Sequence, residues 1–315
     1  MINAYALHDG KFQSLPVSEL SNTLQVAMWI DLTAPTDDER QVIETLYEQP
    51  LPTSKEVREI EASARVNEGE DSLHIYSFFF QEEDHRATTR AVAFTIKDNC
   101  IITLHDHPIP LFRLMRRRAR HELDLIRDPL SVLLALFELK IEQLADQLEA
   151  THLALETISQ TVLAKESRNL QGAIDSLTRE EDGNGKVRLC LMDTQRALAF
   201  LLRRGRGDET VRDWIREILR DIESLLPHNA FLFEKVNFLM NAAMGLINIE
   251  QNQIIKIFSI AAVVFLPPTL IASIYGMNFE VMPELHWWWG YPLAVCAMLL
   301  SGIAPYWYFK RKGWL

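Results

Sequence analysis

Cysteine is scarce in this chain, and its spacing builds nothing. The three thiols, Cys100, Cys190 and Cys296, are odd in number, scattered, and form no Cys-x-x-Cys or Cys/His pattern. That excludes a disulfide framework or a cysteine-built zinc centre and fits a reducing, cytosolic setting with structural thiols. The phosphate loop, the Gly-x-Ser-x-Gly elbow and the His-Glu-x-x-His helix are also missing, so no enzyme is expected. The opening residues MINAYALHDGK carry no basic region followed by an apolar core, and no cleaved signal peptide is expected. Basic residues are outnumbered, 32 against 43 acidic, for a net charge of −11. Four of those bases (Lys256, Lys310, Arg311, Lys312) and only two of the acids (Glu280, Glu284) lie beyond residue 255. The first 255 residues therefore hold 41 acids and 28 bases, a net −13. Nucleic acid, which requires a basic patch, is excluded as a partner; cations are favoured.

Charge is absent altogether from two stretches near the C-terminus. None occurs between Lys256 and Glu280, nor from about Trp287 to Phe309, where Lys310-Arg311-Lys312 closes the run. Each stretch suffices for the ~20 apolar residues that cross a bilayer as a helix. The loop between them has no Lys or Arg, whereas Lys256 and the tail cluster flank the pair. The positive-inside rule then places both termini in the cytoplasm and the loop outside. Trp287, Trp288, Trp289 and Tyr291 fall at the outer interface, and Tyr306, Trp307, Tyr308 and Trp314 near the inner one.

The first span carries an uncharged stripe at helical steps of three and four: Asn241, Gly245, Asn248, Asn252, Ile255, Ser259, Ala262, Leu266, Thr269, Ser273. Phe258, Val264, Phe265, Leu270 and Ile274 fall on other faces. Such a stripe indicates identical helices packed about a common axis. Two readings stay open: close helix packing with Asn fixing register, or the lining of a water-filled path.

The span ends in Tyr275-Gly276-Met277-Asn278, followed by Met282-Pro283-Glu284-Leu285 and, at the tail, Lys310-Arg311-Lys312-Gly313-Trp314-Leu315. With Ala27-Met28-Trp29-Ile30-Asp31-Leu32 and the long helical middle, these residues resemble the CorA family of magnesium transporters, whose hallmark is a Gly-Met-Asn tripeptide closing the first of two C-terminal spans. The resemblance implies a funnel-shaped homopentamer in a bacterial inner membrane, with membrane lipid around it. It implies influx of Mg2+, with Co2+ and Ni2+ also passed, and no cofactor beyond Mg2+ as transported and regulatory ion. Gly276, Met277 and Asn278 become the selectivity filter, Asn252 and Thr269 polar stations, and Ile255 and Leu266 apolar constrictions. Neutral acceptors suit a hydrated Mg2+, whose coordinated waters present hydrogens outwards. Glu280 and Glu284 stand near to concentrate cations. Relatives that carry zinc depart from Met at the tripeptide centre, whereas Met277 is present here. A zinc or other divalent transporter and a non-conducting, membrane-anchored metal sensor are the alternatives.

The expected fold is an α+β cytosolic domain followed by long helices and two C-terminal transmembrane helices. In domains this reads as 1–125 α/β, 126–207 helical, 208–278 a stalk continuing into the first span, 279–287 an external loop, 288–309 the second span and 310–315 a basic tail. Strands are expected at Ile2–Leu7, Lys11–Leu15, Ala27–Leu32, Leu73–Phe80, Arg90–Ile96 and Cys100–Leu104, with turns at His8-Asp9-Gly10 and Asp98-Asn99. Thr36 with Glu39 forms a capping-box pattern, Ser54–Ala64 reads as a further helix, and Ile109–His121 as a short basic one. Residues 179–185, REEDGNG, read as a solvated turn with a helix resuming near Lys186, and Gly205 and Gly207 as a break. Pro227 marks a kink or a fresh start. His105-Asp106-His107 reads as either a metal fragment or a loop, and no third ligand is near in sequence. Glu68, Glu70 and Asp71 are candidates for a regulatory magnesium site, or else a solvated turn.

Overall fold

The computed structural model describes residues 1–8, 11–15, 24–53, 56–57, 65–69, 71–83, 86–121, 126–164, 169–278 and 282–313. Its elements are β1 Ile2–His8, β2 Lys11–Leu15, β3 Trp29–Thr33, α1 Asp37–Tyr47, β4 Val66–Glu68, β5 Ser72–Glu83, β6 Arg86–Lys97 and β7 Cys100–His105. Helices follow: α2 Pro110–His121, α3 Pro129–Leu163, α4 Leu170–Arg203, α5 Glu209–Tyr275, a 3-10 turn Pro283–His286 and α6 Gly290–Arg311. The chain divides into two units, Met1–Met240 and Asn241–Leu315.

The first unit is built on a seven-stranded sheet in the order β2-β1-β3-β7-β6-β5-β4. Among the described strands only β3 and β7 run parallel. The capping box is present: Thr36 Oγ1 accepts from Glu39 N at 3.2 Å, and Glu39 Oε2 accepts from Thr36 N at 2.9 Å. The same carboxylate takes the N-terminal ammonium at 2.9 Å, and that bond is the largest of the effects holding it below the usual range. Asp98, at φ 51°, turns the β6–β7 hairpin. β5 and β6 run longer than their apolar runs predict, because Gln81–Glu83 and Arg86–Thr89 continue the ladder on polar side chains. The helix expected at Ser54–Ala64 lies mostly outside the described residues, as do Asp9 and Gly10.

Trp29, Phe79, Phe94, Phe112 and Phe137 are buried and in mutual ring contact, joining the sheet to α2 and α3. Beside them a polar network is sealed from water. Asp193 of α4 binds Arg65 Nε at 2.7 Å, Ser77 Oγ at 2.8 Å and Phe78 N at 2.9 Å. Lys140 of α3 donates to Ser77 Oγ at 2.8 Å and Thr194 Oγ1 at 2.6 Å. Burial pulls the lysine pKa down, and Asp193 opposes that shift. Three chain segments distant in sequence are thus tied to one carboxylate. Burial pushes the Cys100 and Cys190 thiols up to about 12, which keeps them protonated and inert.

The REEDGNG stretch is not a turn. α4 runs unbroken from Leu170 to Arg203, so the solvated turn and the helix resuming near Lys186 are both corrected. Gly183 and Asn184 are buried there. Asn184 donates its amide to the Asn229 carbonyl at 3.0 Å, and Asn229 returns it at 2.9 Å and 2.7 Å. The glycines cost helix propensity of about 1 kcal/mol each, and tertiary packing outweighs it. The break in the helical middle falls instead between Leu163 and Leu170, where Asn169 accepts from Gly172 N at 3.0 Å. Gly205 and Gly207, at φ 62° and 83°, end α4 as expected. α5 passes through Pro227 without interruption.

Candidate ion path along the first apolar helix

Two helices, α5 and α6, are long and apolar enough to cross a membrane. In the second unit α6 packs on one side of α5 only. From Ile260 onwards the shielded residues of α5 are Ile260, Ala261, Val264, Pro267, Pro268, Ile271 and Tyr275. At about 100° per residue this face lies roughly opposite the stripe Ile255, Ser259, Ala262, Leu266, Thr269 and Ser273. Every residue of that stripe is exposed in the single chain, Ile255 by 61% and Leu266 by 65%. Asn241, Asn248 and Asn252 are exposed as well, and Gly245 partly so.

The contact with α6 depends on two prolines and a glycine. Pro267 and Pro268 lack the N–H that would bond the carbonyls of Val263 and Val264. A Cβ placed on Gly302 would stand 3.3 Å from Pro268 Cγ and 3.5 Å from the Val264 carbonyl oxygen. Glycine lets the second helix close on that freed carbonyl, as bilayer-embedded backbone requires. Phe265 O accepts from Thr269 Oγ1 at 2.7 Å. The hydroxyl proton is therefore occupied, and the Thr269 oxygen presents lone pairs outwards.

α5 stops at Tyr275. Gly276 N donates to Ala272 O at 2.9 Å and Met277 N to Ile274 O at 3.3 Å. A Cβ on Gly276 would lie 3.1 Å from Ala272 O, tighter than most real contacts, so the turn favours glycine. Gly276, Met277 and Asn278 are all exposed, and the Asn278 side chain bonds to no described residue. Glu280 lies outside the described residues. Glu284 is exposed in the 3-10 turn. A Cβ on Gly290 would collide with the Glu284 carbonyl, so glycine is what lets the loop fold back on the start of α6.

Of the regulatory candidates, Glu68 is held in ion pairs. Glu68 gives one oxygen to Arg206 at 2.7 Å and the other to Arg204 at 3.0 Å. The Arg206 bond, chiefly, holds its carboxyl below the usual range. Asp71 is exposed, and Glu70 lies outside the described residues. Among the described residues no group of three His, Cys, Asp or Glu is placed to hold a metal. His105 is a buried core histidine between Asp31 Oδ1 at 2.9 Å and the His107 carbonyl at 2.6 Å.

Sequence reasoning missed Gly302, Pro268 and Gly290. The first two had a local signal, a small residue and a proline pair within apolar runs, but what they contact was not written there.

The family model described as "CorA-like Mg2+ transporter protein" matches residues 25–311. A magnesium transport protein CorA from Salmonella typhimurium is 54% identical over 100% of both chains. One from Yersinia pseudotuberculosis is 52% identical over the same share. The fold is similar to the complete structure of the CorA magnesium transporter from Methanocaldococcus jannaschii, at TM-score 0.78 and 22% identity, over 100% of this chain and 99% of that one.

Proposed function

The chain belongs to the CorA-like Mg2+ transporter family, and from that premise we propose how its own residues carry the ion. It is a membrane protein that transports magnesium. One observation carries the detailed reading: the uncharged polar stripe of α5 lies on the side away from α6 and ends at Gly276-Met277-Asn278. A lone copy would turn Ser259, Thr269 and Ser273 towards hydrocarbon, which is costly. Packing copies with their stripes inward and α6 outward removes that cost and lines a path with the same residues. A homopentamer is the assembly proposed.

At the outer mouth, a ring of Asn278 side-chain oxygens and Gly276 carbonyls accepts hydrogen bonds from the waters of hydrated Mg2+, and Met277 completes the filter. Magnesium gives up its octahedral shell reluctantly, so reading the waters avoids the cost of stripping them. Neutral acceptors bind without trapping; Glu280 and Glu284 raise the local cation concentration. Asn252 and Thr269 serve as polar stations along the path. Ile255 and Leu266 form rings where it closes by dewetting, and Ser259, Ala262 and Ser273 line the remainder. Co2+ and Ni2+, also octahedral with water, pass by the same reading.

The topology proposed is a bacterial inner membrane with both termini cytoplasmic, from Lys256 and Lys310-Arg311-Lys312 on one side and a loop without bases on the other. Internal magnesium closes the path by binding carboxylates of the acidic domain. Glu68 can join only by leaving Arg204 and Arg206, so Asp71 is the more accessible ligand of the two.

Liposomes containing only this protein and an internal magnesium dye test the reading. Uptake that depends on protein, saturates with external Mg2+ and extends to Co2+ and Ni2+ is expected. Correctly assembled protein that admits none of the three would overturn it.

A further inference from the structure

Gly302 brings α6 against Pro268 and Val264 of α5. One turn nearer the basic tail, Tyr306 of α6 and the Gln253–Phe265 portion of α5 border an open cavity of about 530 Å³. Its walls are mostly apolar: Ile257, Ile260, Val264 and Phe265. Lys256 stands in the lining at the charged end of the first apolar run. Lys310 follows Tyr306 by four residues and shares its helix face. Neither ammonium forms an ion pair with a described residue, and both are exposed. The volume is within the ~300–1,000 Å³ of ordinary ligand pockets.

We propose that this cavity is a binding site for an anionic phospholipid, with an acyl chain between α5 and α6 and the phosphate held by Lys256 and Lys310. The chemistry is divided as such a molecule is divided, apolar within and cationic at the rim where the spans end. A zwitterionic lipid fits the apolar part but brings its own cation to two lysines. A soluble anion matches the rim but leaves the cavity unfilled. The uncompensated pair of lysines therefore selects a lipid of net negative charge, and basic pockets between spans on the cytoplasmic side bind such headgroups. The inference rests on the topology proposed above only for which leaflet supplies the lipid.

The test is native mass spectrometry of the full-length, detergent-purified protein titrated with dioleoyl phosphatidylglycerol or dioleoyl phosphatidylcholine. Each lysine near the headgroup is worth about fivefold in affinity for an anionic lipid. Wild type is expected to retain phosphatidylglycerol about 25-fold more readily than phosphatidylcholine. Lys256→Gln and Lys310→Gln should each lower that preference about fivefold, with phosphatidylcholine retention unchanged. Ala261→Trp, which fills the cavity, should reduce retention of both lipids in protein whose assembly is verified by size. Equal retention of the two lipids by wild type overturns the proposal. So does an unchanged preference in both lysine variants, and so does assembled wild type that retains neither lipid, the result expected if a second copy of the chain fills the groove. Magnesium flux is recorded on the same samples. Protein that conducts without lipid preference refutes the lipid site alone, whereas protein that retains the lipid and does not conduct refutes transport alone.

Discussion

Asp193→Ala should be among the most damaging single changes in the first unit. The carboxylate binds Arg65 at 2.7 Å and lies 3.9 Å from Lys140, and those three side chains are 4%, 5% and 0% exposed for Arg65, Asp193 and Lys140. Removing it takes a buried counter-charge away from Arg65 and Lys140 and deprives Ser77 Oγ and Phe78 N of their acceptor. Breaking a buried pair from one side costs about 3–5 kcal/mol. A unit of this size loses roughly 2–4 °C of Tm per kcal/mol, so a fall of roughly 6–20 °C is expected. The assay is thermal unfolding of the full-length protein in detergent, followed by the β-sheet band in the infrared, because every described strand belongs to Met1–Met240. Asp193→Asn keeps the shape and removes the charge, and should resemble the alanine variant. Lys140→Met should be milder, since it removes a buried cation instead of stranding one. A sheet transition for Asp193→Ala within about 2 °C of wild type, under 1 kcal/mol, would refute the reasoning.

Three further outcomes follow from other parts of the structure. Asn278→Ala should abolish magnesium uptake by liposomes without altering assembly, and Asn278→Asp should shift preference towards ions that shed water readily; normal flux through assembled Asn278→Ala removes the residue from the filter. Asn229→Leu leaves the buried Asn184 Oδ1 without its donor and should cost about 1–3 kcal/mol, while Asn184→Leu/Asn229→Leu together should cost less than the sum, measured in the same infrared melt. Burial lowers the His74 pKa from 6.5. The folded state therefore binds fewer protons than the unfolded one, and this stability, full above about pH 6.5, is lost as pH falls through that value towards the folded pKa. His74→Gln should flatten that part of the Tm-against-pH curve, and an unchanged slope counts against it.

Local signals were legible in the sequence, and partners distant along the chain were not. Thr36 and Glu39 could be paired because a capping box is complete within four residues. The two apolar helices could be read because length and lack of charge suffice. The stripe on α5 could be read because the helical period places its members on one face whatever surrounds them. REEDGNG failed for the opposite reason. Its composition is that of a turn, and what makes it helical is Asn229, 45 residues further on. Likewise nothing near Asp193 announces Ser77 or Lys140, which arrive from β5 and α3. The side of α5 that α6 covers depended on Gly302 meeting Pro268, a contact between spans that carry no register signal of their own. Glu68 was read as a magnesium ligand or part of a solvated turn, without its ion pairs, because Arg204 and Arg206 lie 136 and 138 residues away in sequence, at positions that only the fold brings to it.

The face of α5 turned away from α6 has a genetic consequence. In the assembly proposed above, a path lined by one stripe from each copy has no spare copy: every member would contribute its own Asn278 to the ring. A chain carrying Asn278→Ala that still assembles would enter rings with normal chains and spoil them. In a cell making both forms equally, the share of rings composed only of normal chains falls geometrically with the number of copies per ring. Such an allele would be dominant over the wild type. A truncated chain lacking α5 could not enter the ring and would be recessive.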